Sequence, residues 1–167
     1  QFPFSWLPDA MEAPTPVSAL LHSATMVNAG ALLIFRLSKS FLFLEPLIKI
    51  VSVISFTLAS LSAFYEENLK RLLAYSTVAS LAILFYLFNS PLFLHFLTIH
   101  AYLKASLFFI SGSMASRRGY LLDLGISKRS IFSILFLFSS LSIAGFPPFG
   151  AFWVKASEMS LFTLYTF

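Results

Sequence analysis

The sequence has no cysteine, little charge and no long basic run, and each shortage removes a class of protein. Zero cysteines exclude a disulfide scaffold, thiolate ligation of zinc or iron–sulfur clusters, and a cysteine nucleophile. Charged residues occupy 11% of the 167 positions, well under the roughly 25% that wets an ordinary soluble domain. Eleven Lys and Arg stand against seven Asp and Glu, a net charge of +4. They are scattered rather than clustered, which argues against a nucleic-acid surface. Intrinsic disorder is excluded from the other side, because 58% of residues are hydrophobic and mean hydropathy is +0.86. The opening Gln1-Phe2-Pro3-Phe4 carries neither a basic segment nor a small-residue cleavage site, so no signal or transit peptide is expected. These exclusions leave an integral membrane protein of about one domain.

A helix needs about 20 apolar residues to cross roughly 30 Å of hydrocarbon. Residues 17–37, 47–65, 72–89 and 92–115 meet that requirement, each bounded by charge or proline. Asn89-Ser90-Pro91 alone separates the third from the fourth, which predicts a tight antiparallel hairpin. Residues 130–167 read as one broken crossing, because Pro147-Pro148 removes backbone donors and blocks the preceding turn. Such a break is tolerated in a membrane where protein buries it or where it lines a polar cavity. Residues 1–11 echo it as a half-helix, with Phe2-Pro3-Phe4-Ser5-Trp6 resembling Phe146-Pro147-Pro148-Phe149 and the following Phe152-Trp153. Paired broken helices are a signature of inverted-repeat transporters. The expected fold is therefore all-α: a polytopic transmembrane bundle of about six crossings with broken half-helices. Alternating loops put Lys70, Arg71, Arg117, Arg118, Lys128 and Arg129 on one side, with Arg36, Lys39 and Lys49 opposite. The richer side is expected to face the cytoplasm or matrix.

Two lysines stand where a charge is expensive. Lys104 lies near the middle of 92–115, and Lys155 follows the Pro-Pro break. An ammonium at the bilayer centre costs at least about 2.5–3.5 kcal/mol. Desolvation makes any ammonium release its proton more readily, which is the physical basis for a proton relay. The competing reading of Lys104 is structural, an ammonium fastened to backbone carbonyls. For Lys155 it is an ion pair with Glu158, three residues on. His100 precedes Lys104 by one turn on the same face, so the two can act as consecutive proton stations. Ser111 extends that stripe as a possible water anchor. His22, with Thr25 one turn on, is either a further station or a packing histidine. His95 lies close to the proline-marked end of its helix, where an interfacial role is expected. Five residues separate His95 from His100, so they do not share a face, and no carboxylate lies nearby in the span. No metal site is expected. Phosphate loops, nucleophile elbows and dinucleotide fingerprints are also absent, so no redox cofactor is expected in this chain.

Residues 6–27, WLPDAMEAPTPVSALLHSATMV, closely resemble the signature of the subunit 5 family of respiratory NADH dehydrogenase, the distal antiporter-like subunits of complex I. Residues 68–77, NLKRLLAYST, resemble a segment shared by all antiporter-like subunits. Residues 100–108, HAYLKASLF, with Ser111-Gly112-Ser113, resemble the family's mid-bundle helix, and residues 144–155 its second broken helix. The resemblance implies that His22, Lys104 and Lys155 stand on a central hydrophilic axis. In that arrangement His22 links two half-channels, Lys155 leads toward the outlet, and His100 sits beside Lys104. There are departures. Ala13 replaces the family's usual Gly, Phe96 stands where the family often has another His, and Lys155 lacks the usual flanking Ser and acid.

The resemblance implies a proton-translocating piece of an NADH:ubiquinone oxidoreductase in the mitochondrial inner membrane, with a bacterial plasma membrane as the alternative. The 21 phenylalanines suit a T-rich organelle genome. NAD, FMN, iron–sulfur clusters and ubiquinone are then expected in partner subunits. The family has more helices than this chain supplies, so a split or partial product is expected. Other membrane subunits would complete it, including a chain carrying the missing helices. Alone, it is expected to expose polar stripes to lipid. Two other functions share these motifs: a subunit of a related cation/proton antiporter or membrane-bound hydrogenase, and a scaffold that no longer conducts.

Overall fold

A computed structural model describes residues 17, 25–37, 45–86, 93–118, 131–149, 151–153, 155 and 156. His22, Glu158, the expected half-helix at 1–11 and the Asn89-Ser90-Pro91 turn lie outside them. The described elements are helical: α1 (Met26–Leu37), α2 (Glu45–Tyr65), α3 (Leu69–Tyr86), α4 (Phe93–Arg118) and α5 (Ile131–Ala144). Among them, α2, α3 and the Phe93–Ser113 part of α4 are long and apolar enough to cross a membrane, while α1 and α5 are shorter apolar helices. The chain is an all-α, multi-pass membrane protein.

Each helix has local causes. Glu45 and Pro46 open α2, where an acid complements the helix N-terminus and proline's missing N–H costs nothing. Glu45 and Lys49 form an i,i+4 ion pair at 2.8 Å, a partly exposed contact of modest value. The buried face of α2 is made of Ser52, Ser55 and Ala59. The two hydroxyls turn back onto Lys49 O and Val51 O at 2.7 and 2.6 Å, so a polar group can face a neighbouring helix at no cost to its own backbone. Such small side chains allow close approach, here against α3. The opposite face carries Leu47, Ile50, Ile54, Leu61 and Phe64, all exposed. Hydropathy places the start of the third span at Leu72, yet α3 begins at Leu69, with Leu72 N donating to Asn68 O at 2.9 Å. The charged first turn belongs to the helix because hydrogen bonding, not lipid solubility, defines its end.

Packing is built from two apolar clusters. Leu73 and Ala74 of α3 meet Leu107 and Phe108 of α4, with Val27 of α1 and Phe136 and Ile143 of α5 against them. Toward the other end, Ala31, Leu84, Phe93, Phe96 and Leu97 join α1, α3 and α4, and Phe35 stacks on Phe93 at 4.7 Å. Between the clusters the interior is polar: Thr77, His100 and Lys104 are all buried. Polar groups inside and large apolar groups outside invert the soluble pattern, as a lipid solvent requires. An apolar cavity of about 410 Å³ lies among α1, α2 and α3, bordered by Val27, Val51, Val78 and Phe85. Neither Lys104 nor His100 lines it.

Candidate functional site

Lys104 lies about 16 Å along α4 from Phe93, close to the midpoint of a hydrocarbon layer. Its side chain is 1% exposed. Its Nζ donates to Ser76 Oγ of α3 at 2.5 Å. Ser76 in turn donates to Leu73 O at 2.7 Å, which leaves its oxygen lone pairs for the ammonium. One turn away His100, 5% exposed, places Nε2 2.6 Å from Ser80 Oγ. Ser80 also lies 2.9 Å from both Ser76 O and Thr77 O. Ser76 and Ser80 of α3 therefore match Lys104 and His100 of α4, one turn against one turn, between antiparallel helices.

This is a different arrangement from a lysine fastened to carbonyls. Among the described residues the hydrogen-bond partner of Lys104 is a hydroxyl, and neither Asp nor Glu joins it. An ammonium has three donors, so the group retains capacity for water. The expectation that polar stripes face lipid is not met at Lys104 and His100, because the serines of α3 turn toward them and both are buried.

The broken helix places Lys155 differently. At the end of α5 the backbone folds into a glycine cap: Gly145 takes φ +86°, its N–H reaches Leu141 O and Ser142 O, and Phe146 N–H reaches Leu141 O, all at 3.2 Å. A positive φ there suits glycine. Ile143 O and Ala144 O remain, and Lys155 Nζ reaches them at 2.5 and 3.4 Å. The four last carbonyls are thus all satisfied, two by the turn and two by the ammonium. A cation at a helix C-terminus also opposes the helix dipole.

Other expected residues fall elsewhere. Ser111 is buried, with its hydroxyl turned back to Phe108 O at 2.8 Å on its own helix. His95 is exposed, on the face opposite His100. Phe96 is 4% exposed and stacks on His100, ring centroids 6.3 Å apart.

A match to the model of the family described as NADH:quinone oxidoreductase/Mrp antiporter, transmembrane, covers residues 1–166. The chain belongs to that family. Among its relatives, the NAD(P)H-quinone oxidoreductase subunit 5, chloroplastic, of Manihot esculenta is 40% identical, across 99% of this chain and 25% of that protein. The protein of the same name from Populus alba is 42% identical, across 93% and 23%. The NADH-ubiquinone oxidoreductase chain 5 of Phytophthora infestans is 41% identical, across 90% and 24%. The chain spans about a quarter of the length of the relatives it matches. It therefore contributes to the antiporter-like fold a helical segment that carries the Lys104–His100 cluster.

The sequence reading missed Ser76 and Ser80. Lys104 and Ser76 are 28 residues apart, and His100 and Ser80 are 20 apart. Both pairs are therefore centred on Ser90, in the turn already expected to make a hairpin. Folding the sequence about that residue would have found them.

Proposed function

We propose that this chain forms the central part of a proton-translocating, antiporter-like subunit of an NADH:ubiquinone oxidoreductase. Protons move along an intramembrane axis through His22, His100, Lys104 and Lys155, driven by electron transfer elsewhere in the complex. The observation that carries this reading is the Lys104 ammonium, buried at mid-membrane depth on a serine hydroxyl rather than on a carboxylate. A carboxylate partner would hold the proton in a permanent ion pair, whereas a neutral hydroxyl favours the ammonium more weakly and can still accept a hydrogen bond from the amine. The redox cofactors NAD, FMN, iron–sulfur clusters and ubiquinone belong to partner subunits in this reading. The remaining helices of the subunit, on this polypeptide or another, complete the axis.

The names of the Manihot and Populus relatives specify the chloroplast, which supports a plastid membrane. That of the Phytophthora relative specifies ubiquinone as acceptor and no compartment, and the mitochondrial inner membrane is proposed on that acceptor alone. A second activity, cation/proton antiport, is favoured by the family description itself, which includes the Mrp antiporters. Sodium flux without quinone reduction would select it. The deciding experiment is Lys104→Ala in the assembled complex: proton pumping should be lost with assembly intact. Continued pumping would remove Lys104 from the axis.

A further inference from the structure

His100 is held by one hydrogen bond on one side of its ring and none on the other. Nε2 faces Ser80 Oγ at 2.6 Å, while Nδ1 is buried and has no hydrogen-bond partner among the described residues. Ser80 has a single proton to give. Its oxygen lies 2.9 Å from Ser76 O and from Thr77 O, and carbonyls can only accept. With the hydroxyl proton committed to its own helix, Ser80 Oγ is an acceptor toward the ring, so Nε2 carries the hydrogen. The opposite choice would bury an unpaired Nδ1–H donor, which is rarer and costlier than an under-satisfied acceptor.

We propose that Ser80 is a positioning residue: it fixes His100 as the Nε2–H tautomer and thereby makes Nδ1 the atom that accepts a translocated proton. The inference rests on the proton-axis reading above. A proton arriving at the Nδ1 lone pair from a donor on the axis gives an imidazolium with both ring nitrogens protonated, and the donor loses one positive charge. Departure of the same proton from Nδ1 to the next acceptor on the axis, which gains that positive charge, restores the starting tautomer, so the ring cycles without rotating. Phe96, stacked on the ring, restrains that rotation further. Ser76 does not set the tautomer, because its oxygen is engaged by Lys104.

The test compares Ser80→Ala and Ser80→Thr with Lys104→Ala in the assembled membrane complex. Ser80→Ala should lower the proton-pumping rate about tenfold, the effect of one lost buried hydrogen bond on a transfer step. Electron transfer to quinone and the amount of assembled complex should be retained. Ser80→Thr, which keeps the hydroxyl on the helix carbonyls, should restore pumping to within about twofold of the parent. Parental pumping in Ser80→Ala, or no rescue by threonine, overturns the proposal. Infrared spectra of the parent complex with ring-labelled histidine, subtracted against His100→Ala, should contain the Nε2–H band. An Nδ1–H band there overturns the proposal even if Ser80→Ala does not assemble. If Lys104→Ala pumps normally, the axis reading falls. If Lys104→Ala stops pumping and Ser80→Ala does not, the tautomer assignment alone falls.

Discussion

Lys104 of α4 and Ser76 of α3 are joined across two antiparallel helices by a hydrogen bond of 2.5 Å, with the lysine 1% exposed. The contact places a cation in the interior of a bundle whose outer surface is apolar, and among the described residues it does so without an opposite charge. Burial of an ion without a counter-ion is costly, so its neighbours have measurable consequences.

Ser76→Ala removes the hydroxyl partner of a buried ammonium. Hydrogen bonds to charged groups contribute about 1.5–3 kcal/mol, so the variant should lose about that much stability. Ser76→Thr should lose less, because it retains the oxygen. Thermal unfolding of the detergent-solubilised complex, monitored at this subunit, measures the difference. An alanine variant as stable as the parent would mean that Lys104 draws its support from elsewhere.

Lys155 combines a structural contact with a proposed transport role, and two substitutions separate them. Lys155→Met leaves Ile143 O and Ala144 O without their donor, and should destabilise the broken helix by about 1–3 kcal/mol. Lys155→Arg keeps a cation to cap those carbonyls but cannot release a proton. The arginine variant should assemble with near-parental stability and fail to pump. Full pumping by the arginine variant would make Lys155 a cap alone.

Gly145→Ala tests the turn that brings Lys155 into place. The residue sits at φ +86°, and an added Cβ would come within 3.0 Å of Lys155 Cδ. The left-handed conformation costs a non-glycine residue roughly 1–2 kcal/mol. Because the obstructing atom belongs to a flexible side chain, the lysine can shift, at the expense of its contact with Ile143 O. Reduced heat stability together with slowed pumping is expected. Reduced stability with unchanged pumping would mean that the lysine works without its cap.

Much of this was legible in the residues themselves. The apolar run at 47–65 lies within α2, Glu45–Tyr65, because only the backbone-satisfied helix suits twenty apolar residues in lipid. The break after Ala144 follows from glycine and proline chemistry at Gly145, Pro147 and Pro148. Lys104 and His100 were identifiable as a pair from their four-residue spacing. Ser76 and Ser80 were not, because serine is common in apolar helices and usually bonds its own backbone. Eight described serines of α2, α4 and α5 do only that, among them Ser52, Ser55, Ser106, Ser111 and Ser139. The C-cap made by Lys155 was equally hidden, since Ile143 and Lys155 are 12 residues apart and meet only after the chain turns.

Sequence by itself determined the solvent: so little charge on so apolar a chain leaves lipid as the medium and helices as the form. It also determined which groups are chemically out of place there, two lysines and a histidine. The tertiary structure decided who stands opposite them. A serine hydroxyl faces Lys104, a second faces His100, and a helix end faces Lys155. Helical periodicity relates residues three or four positions apart, but it carries no information about which face of one helix meets another. That pairing arises from packing, and with it the choice between a cation that caps a helix and a cation poised to pass on a proton.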